Sequence, residues 1–118
     1  HPPSEKIERM FALADGDPIE YADGLDSMPM DVCELSVMNG STYGEPFTHH
    51  DLMKYAAIRA RTNLPLVVPS QHLITPESTE LIRDIGIEGL MIGAVVAGST
   101  IESWKQSVTA FRKVIDRL

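Results

Sequence analysis

A chain of 118 residues, 43% hydrophobic and 23% charged, holds enough apolar mass for one core and too little length for two, which argues against both a disordered and a two-domain protein. The net charge of −7, with ten Lys and Arg scattered along the chain, leaves no basic footprint for a phosphate backbone or an anionic membrane, so neither nucleic acid nor membrane is an expected partner. One cysteine, Cys33, cannot close an internal disulfide, and no apolar run approaches the roughly 20 residues a bilayer requires, so a reducing, cytoplasmic setting is expected.

The chain opens His1-Pro2-Pro3 without a methionine, as expected of a processed chain, a tag remnant or a piece of something longer. Ser4 is placed to cap a helix over residues 5–14, with Ile7, Met10, Phe11 and Ala14 along one face. Residues 15–30 carry Asp15-Gly16, Asp23-Gly24, Pro18 and Pro29, all turn formers, and read as mostly loop. Residues 31–38 predict the first strand: Cys33, Leu35 and Val37 alternate with Glu34 and Ser36, and Asn39-Gly40 stops the run. The part up to residue 47 is thus expected to be an irregular helix, loop and strand within a single α/β domain.

From residue 48 the pattern becomes regular. Thr48 followed by an acid at Asp51 resembles a capping box, and Leu52, Tyr55, Ala56 and Ala60 carry a helix to about Thr62. Residues 64–69 are almost wholly apolar, as a strand covered on both faces reads. Thr75-Pro76-Glu77 supplies a cap, a proline at the first helical position and a first-turn acid for a second helix that Gly86 stops. Residues 87–93 predict another strand and 94–100 a small-residue turn. Ile101, Trp104, Val108, Phe111, Ile115 and Leu118 then recur at helical spacing in a last helix. Strands alternating with helices over short connections predict parallel pairing through right-handed crossovers.

The run LPLVVPSQHLITPESTELIRDIGIEGLMIGAVVAG resembles the seventh and eighth units of aldolase-type (β/α)8 (TIM) barrels: a strand, a turn, "TPE" opening a helix, "IGIEG" leading into the last strand and a glycine at its end. Similar wording occurs in phosphate-binding, phosphoenolpyruvate-mutase-like and uncharacterised barrel proteins, and the likeness covers residues 64–118. It implies half a barrel, which would expose two sheet edges and pair with a second copy or with a chain supplying the missing half. The alternative architecture is a small open flavodoxin-like sheet.

Both architectures place ligands at the carboxyl ends of parallel strands, after Met38, Val68 and Gly93. There Ser70, Gln71 and His72 offer a hydroxyl, an amide and an imidazole able to orient a small polar substrate and exchange protons with it near neutral pH. His72 is the expected acid or base, with Gln71 beside it and Glu34 or Asn39 facing it from the first strand. The plainer readings are a solvated His72 and a surface Glu34. Gly93, Gly98, Ser99 and Thr100 span the turn before the last helix, where backbone N–H groups could hold an anion, or where Ser99 or Thr100 could simply cap the helix. A Gly-Gly-like turn after the preceding strand, usual in phosphate barrels, is replaced by Pro69-Ser70-Gln71. No lysine ends a strand, so the Schiff-base mechanism lacks its nucleophile.

Other motifs carry less. His49-His50 point in different directions on a helix and suit a helix start better than a metal, and no metal site is expected. Asp15-Gly16-Asp17 resembles the aspartyl nucleophile motif of haloacid-dehalogenase phosphatases, but Pro18-Ile19 replaces the expected hydroxyl and the segment before it reads as helix. Cys33 reads as a small core hydrophobe. The expectation is therefore a lyase- or isomerase-type enzyme, or a fragment of one, acting on a small phosphorylated or carboxylated metabolite. The alternatives are a non-catalytic assembly or regulatory domain and a phosphatase, with the cofactor unknown.

Overall fold

The computed structural model describes residues 7–118. Strands β1 (Met10–Ala14), β2 (Val32–Ser36), β3 (Leu66–Pro69) and β4 (Gly89–Met91) alternate with helices α1 (His49–Arg59), α2 (Ser78–Asp84), α3 (Ala94–Ala97) and α4 (Ile101–Ile115). Two 3-10 segments, Ile19–Ser27 and Gly40–Thr42, precede and follow β2. All four strands are parallel and lie in the order β1-β2-β3-β4. The chain is thus α/β, built from consecutive strand and crossover units. Its strand order nowhere reverses, whereas a flavodoxin-like sheet turns back after its first strand.

Residues 10–14 correct the expected helix over 5–14; residues 5 and 6 and the Ser4 cap lie outside the described residues. Met-Phe-Ala-Leu-Ala has no strong strand preference of its own, and tertiary pairing decides its conformation. The whole segment pairs with β2, Met10 opposite Val32 through Ala14 opposite Ser36. Asp31 fixes the entry, its carboxylate accepting from the Arg9 N–H at 2.8 Å while the Arg9 carbonyl takes the Asp31 N–H. With a period of two, Leu13 is buried and Phe11 packs against the core. The 15–30 segment is likewise more than loop, since its 3-10 helix buries Ala22 and Leu25.

The later units follow the sequence closely. Thr48 and Asp51 close the capping box of α1, Thr100 and Ser103 close another at α4, and Gly86 takes the left-handed φ of 95° that ends the α2 unit. Several bounds differ. Helix α1 ends at Arg59 and not near Thr62. Helix α2 begins only at Ser78, with Glu77 at its N-cap, so Thr75, Pro76 and Glu77 form the turn ahead of the helix and Thr75 bonds Ser78 there. The turn after β4 contains the short α3, and α4 ends at Ile115, before Leu118.

Alternation along the strands separates two faces. Leu13, Cys33, Leu35, Leu66 and Val68 form one face and share a buried cluster with Tyr55, Ile58, Ile82 and Phe111 from α1, α2 and α4. Each such side chain removed from water contributes about 1.5–3 kcal/mol. Burial pushes the Cys33 thiol up, as expected of a packed, unreactive cysteine. The opposite face carries Ala12, Ala14, Glu34, Ser36, Val67 and Met91 at exposed or half-buried positions, and no described element covers it. On α4, only Phe111 of the apolar series is buried; Ile101, Trp104 and Val108 are exposed.

One carboxylate ties the 3-10 helix to the loop before β3. Asp26 accepts from the Thr62 hydroxyl at 2.5 Å and from the Asn63 main-chain N–H at 2.9 Å. The Thr62 hydroxyl, then the Asn63 N–H, hold Asp26 below its ordinary pKa of 3.8. The unfolded chain therefore binds this proton more readily, so the stabilisation is present above 3.8 and is lost as pH falls through the lower folded value. Acid unfolding followed by circular dichroism should show a shallower loss of stability below that pH in Asp26→Asn than in the parent; identical acid limbs would contradict it.

Candidate functional site

The carboxyl ends of β2 and β3 are drawn together by main-chain and amide bonds. Gln71 uses its side-chain carbonyl to accept from the Met38 N–H at 3.1 Å and its amide to donate to the Met38 carbonyl at 3.4 Å. Beyond it, Gly44 donates to the Gln71 carbonyl, Leu73 donates to the Glu45 carbonyl, and Pro46 bridges Leu73 in parallel. The loop leaving β2 therefore runs alongside the loop leaving β3, and α1 begins immediately after it. Lys54 of α1 adds a 2.7 Å bond from its ammonium to the Val37 carbonyl.

This scaffold brings Thr42, Asp51 and His72 together. His72 Nδ1 lies 2.7 Å from Asp51 Oδ2, and His72 Nε2 lies 2.7 Å from Thr42 Oγ1. The His72 and Asp51 side chains are only 11% and 8% exposed, so the imidazole is neither solvated nor bonded to a stray carbonyl. Asp51 Oδ2 also accepts from the Thr48 N–H at 2.9 Å, so the residue that caps α1 is the one that orients the ring. An ionised carboxylate only accepts, which assigns the Nδ1 proton to the His72–Asp51 bond. In neutral His72 the Nε2 lone pair then accepts from the Thr42 hydroxyl. In the protonated ring Nε2–H donates to Thr42 Oγ1, whose own proton goes to the Asn39 carbonyl at 2.8 Å. Each protonation state of the ring therefore has a partner at both nitrogens.

Burial, and next the charge of Asp51, push the Tyr55 phenol well above its usual range. Tyr55 stacks on Phe47 with ring centroids 6.1 Å apart, packing the start of α1 onto the loop that carries Thr42.

The remaining expected residues fall into different roles. Gln71 is spent on the Met38 main chain, as described. Ser70 is buried, and its hydroxyl accepts from the Gly93 N–H at 2.7 Å, tying β3 to β4. Glu34 lies half-buried on the uncovered sheet face and accepts from Ser36 at 3.4 Å. Asn39 is exposed and caps its own turn through Ser41. In the 93–100 turn the N–H groups of Gly93, Val96, Ala97, Gly98 and Thr100 are all bonded within the chain, and Thr100 caps α4. Ser99 is exposed beside it. Gly98 has φ 77°, and a Cβ there would meet Ser103 Oγ at 2.9 Å, so its glycine serves the turn itself.

The structure differs at the Asp15-Gly16-Asp17 motif too. A strand, not a helix, leads into it, but the Asp17 carboxylate closes its own turn by accepting from the Ala14 N–H at 2.9 Å. Among the described residues no three His, Cys, Asp or Glu side chains are grouped to hold a metal ion, and no helix is long and apolar enough to cross a membrane.

Sequence reasoning singled out His72 and did not mark the two side chains that the fold brings to it. Asp51 was legible only as a helix cap, and Thr42 sits in a polar turn with nothing to mark it. Their separations in sequence, 30 residues from Thr42 to His72 and 21 from Asp51 to His72, carry no local signal. No protein-family model and no curated protein matches the chain.

Proposed function

We propose that this chain is an enzyme, or part of one, of the aldolase-type barrel kind, in which His72 moves a proton on a small carboxylated metabolite in lyase- or isomerase-type chemistry. The observation that carries this reading is the imidazole held between Asp51 and Thr42 at the carboxyl ends of β2 and β3. A base fixed in one tautomer by a carboxylate, with the lone pair of the far nitrogen turned toward the Thr42 hydroxyl, suits abstraction next to a carbonyl once a substrate displaces that hydroxyl. The order of the four parallel strands is in keeping with consecutive barrel units. A carboxylated substrate is favoured over a phosphorylated one because the N–H groups of Gly93, Val96, Ala97, Gly98 and Thr100 in the 93–100 turn are already used.

The test follows proton exchange. A set of small 2-oxo acids is incubated with the protein in D2O and loss of the signal from hydrogens beside the carbonyl is followed by NMR. Accelerated exchange with at least one acid, abolished in His72→Gln, is expected. No acceleration with any of them, or equal rates in the variant, would overturn the reading.

A second reading, assembly with another chain, is favoured by the uncovered sheet face. Parallel sheets are ordinarily covered on both faces, and here Ala12, Ala14, Glu34, Ser36, Val67 and Met91 are not. Light scattering across a concentration series should give a dimer or larger species. A monomer at every concentration would refute it.

A further inference from the structure

We propose that Thr42 is an acyl-accepting nucleophile activated by His72 and Asp51, so that the same site opens small activated esters. This rests on the His72–Asp51 pair of the proposed function and adds a covalent step to it.

A hydroxyl is a weak nucleophile near neutral pH. Activation requires a base within hydrogen-bond reach and a third group orienting that base. All three are present: Thr42 Oγ1 stands 2.7 Å from His72 Nε2, and His72 Nδ1 stands 2.7 Å from Asp51 Oδ2. Because Asp51 accepts the hydrogen bond from Nδ1–H, the lone pair of the neutral ring is directed at the hydroxyl, as general-base activation demands. The turn is held in place, with the Thr42 N–H on the Asn39 carbonyl at 3.0 Å and the Gly44 N–H on the Gln71 carbonyl at 2.8 Å. Thr42 itself is half-buried, in an outer turn between exposed Ser41 and exposed Tyr43. A hydroxyl needed only to pin this turn would be satisfied by the Asn39 carbonyl alone.

In the step, Thr42 Oγ1 attacks the acyl carbon while its proton passes to His72 Nε2. The new Oγ1–C bond forms, the bond to the leaving oxygen breaks, and that oxygen receives the proton from Nε2. Water then attacks the acyl-threonine, giving up a proton to Nε2, and Oγ1 is reprotonated as the acid leaves. No oxidant or reductant is involved. The threonine methyl crowds the attacking oxygen, which restricts the acyl group to small ones.

The probe is p-nitrophenyl acetate, with nitrophenolate release read by absorbance and the acetylated position mapped by mass spectrometry of quenched protein. One acetyl group on Thr42 of the parent is expected, with release slowed by about 10²–10⁴-fold in His72→Gln and Thr42→Val and kept in Thr42→Ser. Circular dichroism of each variant checks folding, and the mapped position in the parent needs no variant. Acetyl groups on lysines, His49 or His50 with none on Thr42, or unmodified parent protein, would overturn the proposal. Running the deuterium exchange on the same variants separates the two ideas. Exchange retained in Thr42→Val, without acetyl-threonine in the parent, removes Thr42 alone, whereas exchange retained in His72→Gln removes the reading beneath it.

Discussion

Asp51→Ala should lower His72-dependent proton exchange by about 10²–10⁴-fold and lose about 1 kcal/mol of helix capping. The single oxygen Asp51 Oδ2 accepts from the Thr48 N–H at 2.9 Å and stands 2.7 Å from His72 Nδ1, so one truncation removes both bonds. Without the carboxylate nothing holds the ring proton on Nδ1, and it can move to Nε2, the nitrogen that faces Thr42. That nitrogen then cannot take a proton. Asp51 acts through His72 and is a positioning residue, so rate alone is not the test. Nitrogen-15 NMR of the imidazole should report Nδ1–H in the parent and loss of that single tautomer in the variant, with circular dichroism showing that the fold stands. An unchanged tautomer would contradict this account of Asp51. Asp51→Asn serves as the contrast: its side-chain carbonyl can take the place of Oδ2 and accept from both donors, so it should keep the cap and the Nδ1–H tautomer and retain more of the exchange than the alanine variant.

Arg59→Met should cost about 2–4 kcal/mol of stability at the opposite end of the sheet, a large share of the roughly 5–15 kcal/mol that holds a domain together. One guanidinium nitrogen donates to the Thr62 and Leu64 carbonyls at 2.6 and 2.8 Å. The other donates to the Gly86 carbonyl at 3.1 Å and to Glu88 at 3.0 Å. Glu88 in turn accepts from the Leu66 N–H at 2.7 Å. One side chain therefore joins the ends of α1 and α2 to the starts of β3 and β4. The Glu88 carboxylate is half exposed, so its ion pair adds little beyond the hydrogen bonds. The cost comes from carbonyls left without a charged donor in a part-buried setting. Lysine cannot reproduce the planar fork, so Arg59→Lys should recover only a minor part. Urea unfolding measures both; a change within about 0.5 kcal/mol in the methionine variant would mean that water replaces the guanidinium.

The fold was more legible than the site, for reasons visible in particular residues. Thr48 and Asp51, Thr100 and Gly86 announce helix ends because caps and left-handed turns depend on the residue itself and its near neighbours. Leu66, Val67 and Val68 announce a strand because β-branched and apolar residues in a short run suit little else. Met10–Ala14 misled because apolar residues at 7, 10, 11 and 14 fit a helical period and hide the period of two that Phe11 and Leu13 obey. Only the pairing with β2 settles which period applies.

The apolar series of α4 misled in a different way. Its spacing is helical, as read, but spacing does not say whether a partner exists for the stripe, and Ile101, Trp104 and Val108 remain uncovered while Phe111 is buried.

By itself, then, the sequence determined the α/β class with a net negative charge, the caps at Thr48 and Thr100, the turn at Gly86 and the strand through Leu66, Val67 and Val68, and it singled out His72, because charge, caps and periodicity are local properties. The tertiary structure decided that β1 is a strand, that one sheet face stays open, that Gln71 and Ser70 tie strands together, and that Thr42 and Asp51 flank the imidazole. Those outcomes depend on hydrogen bonds between residues 20 to 40 positions apart, as from Asp51 to His72 and from Met38 to Gln71, whose geometry exists only once β2 and β3 lie side by side.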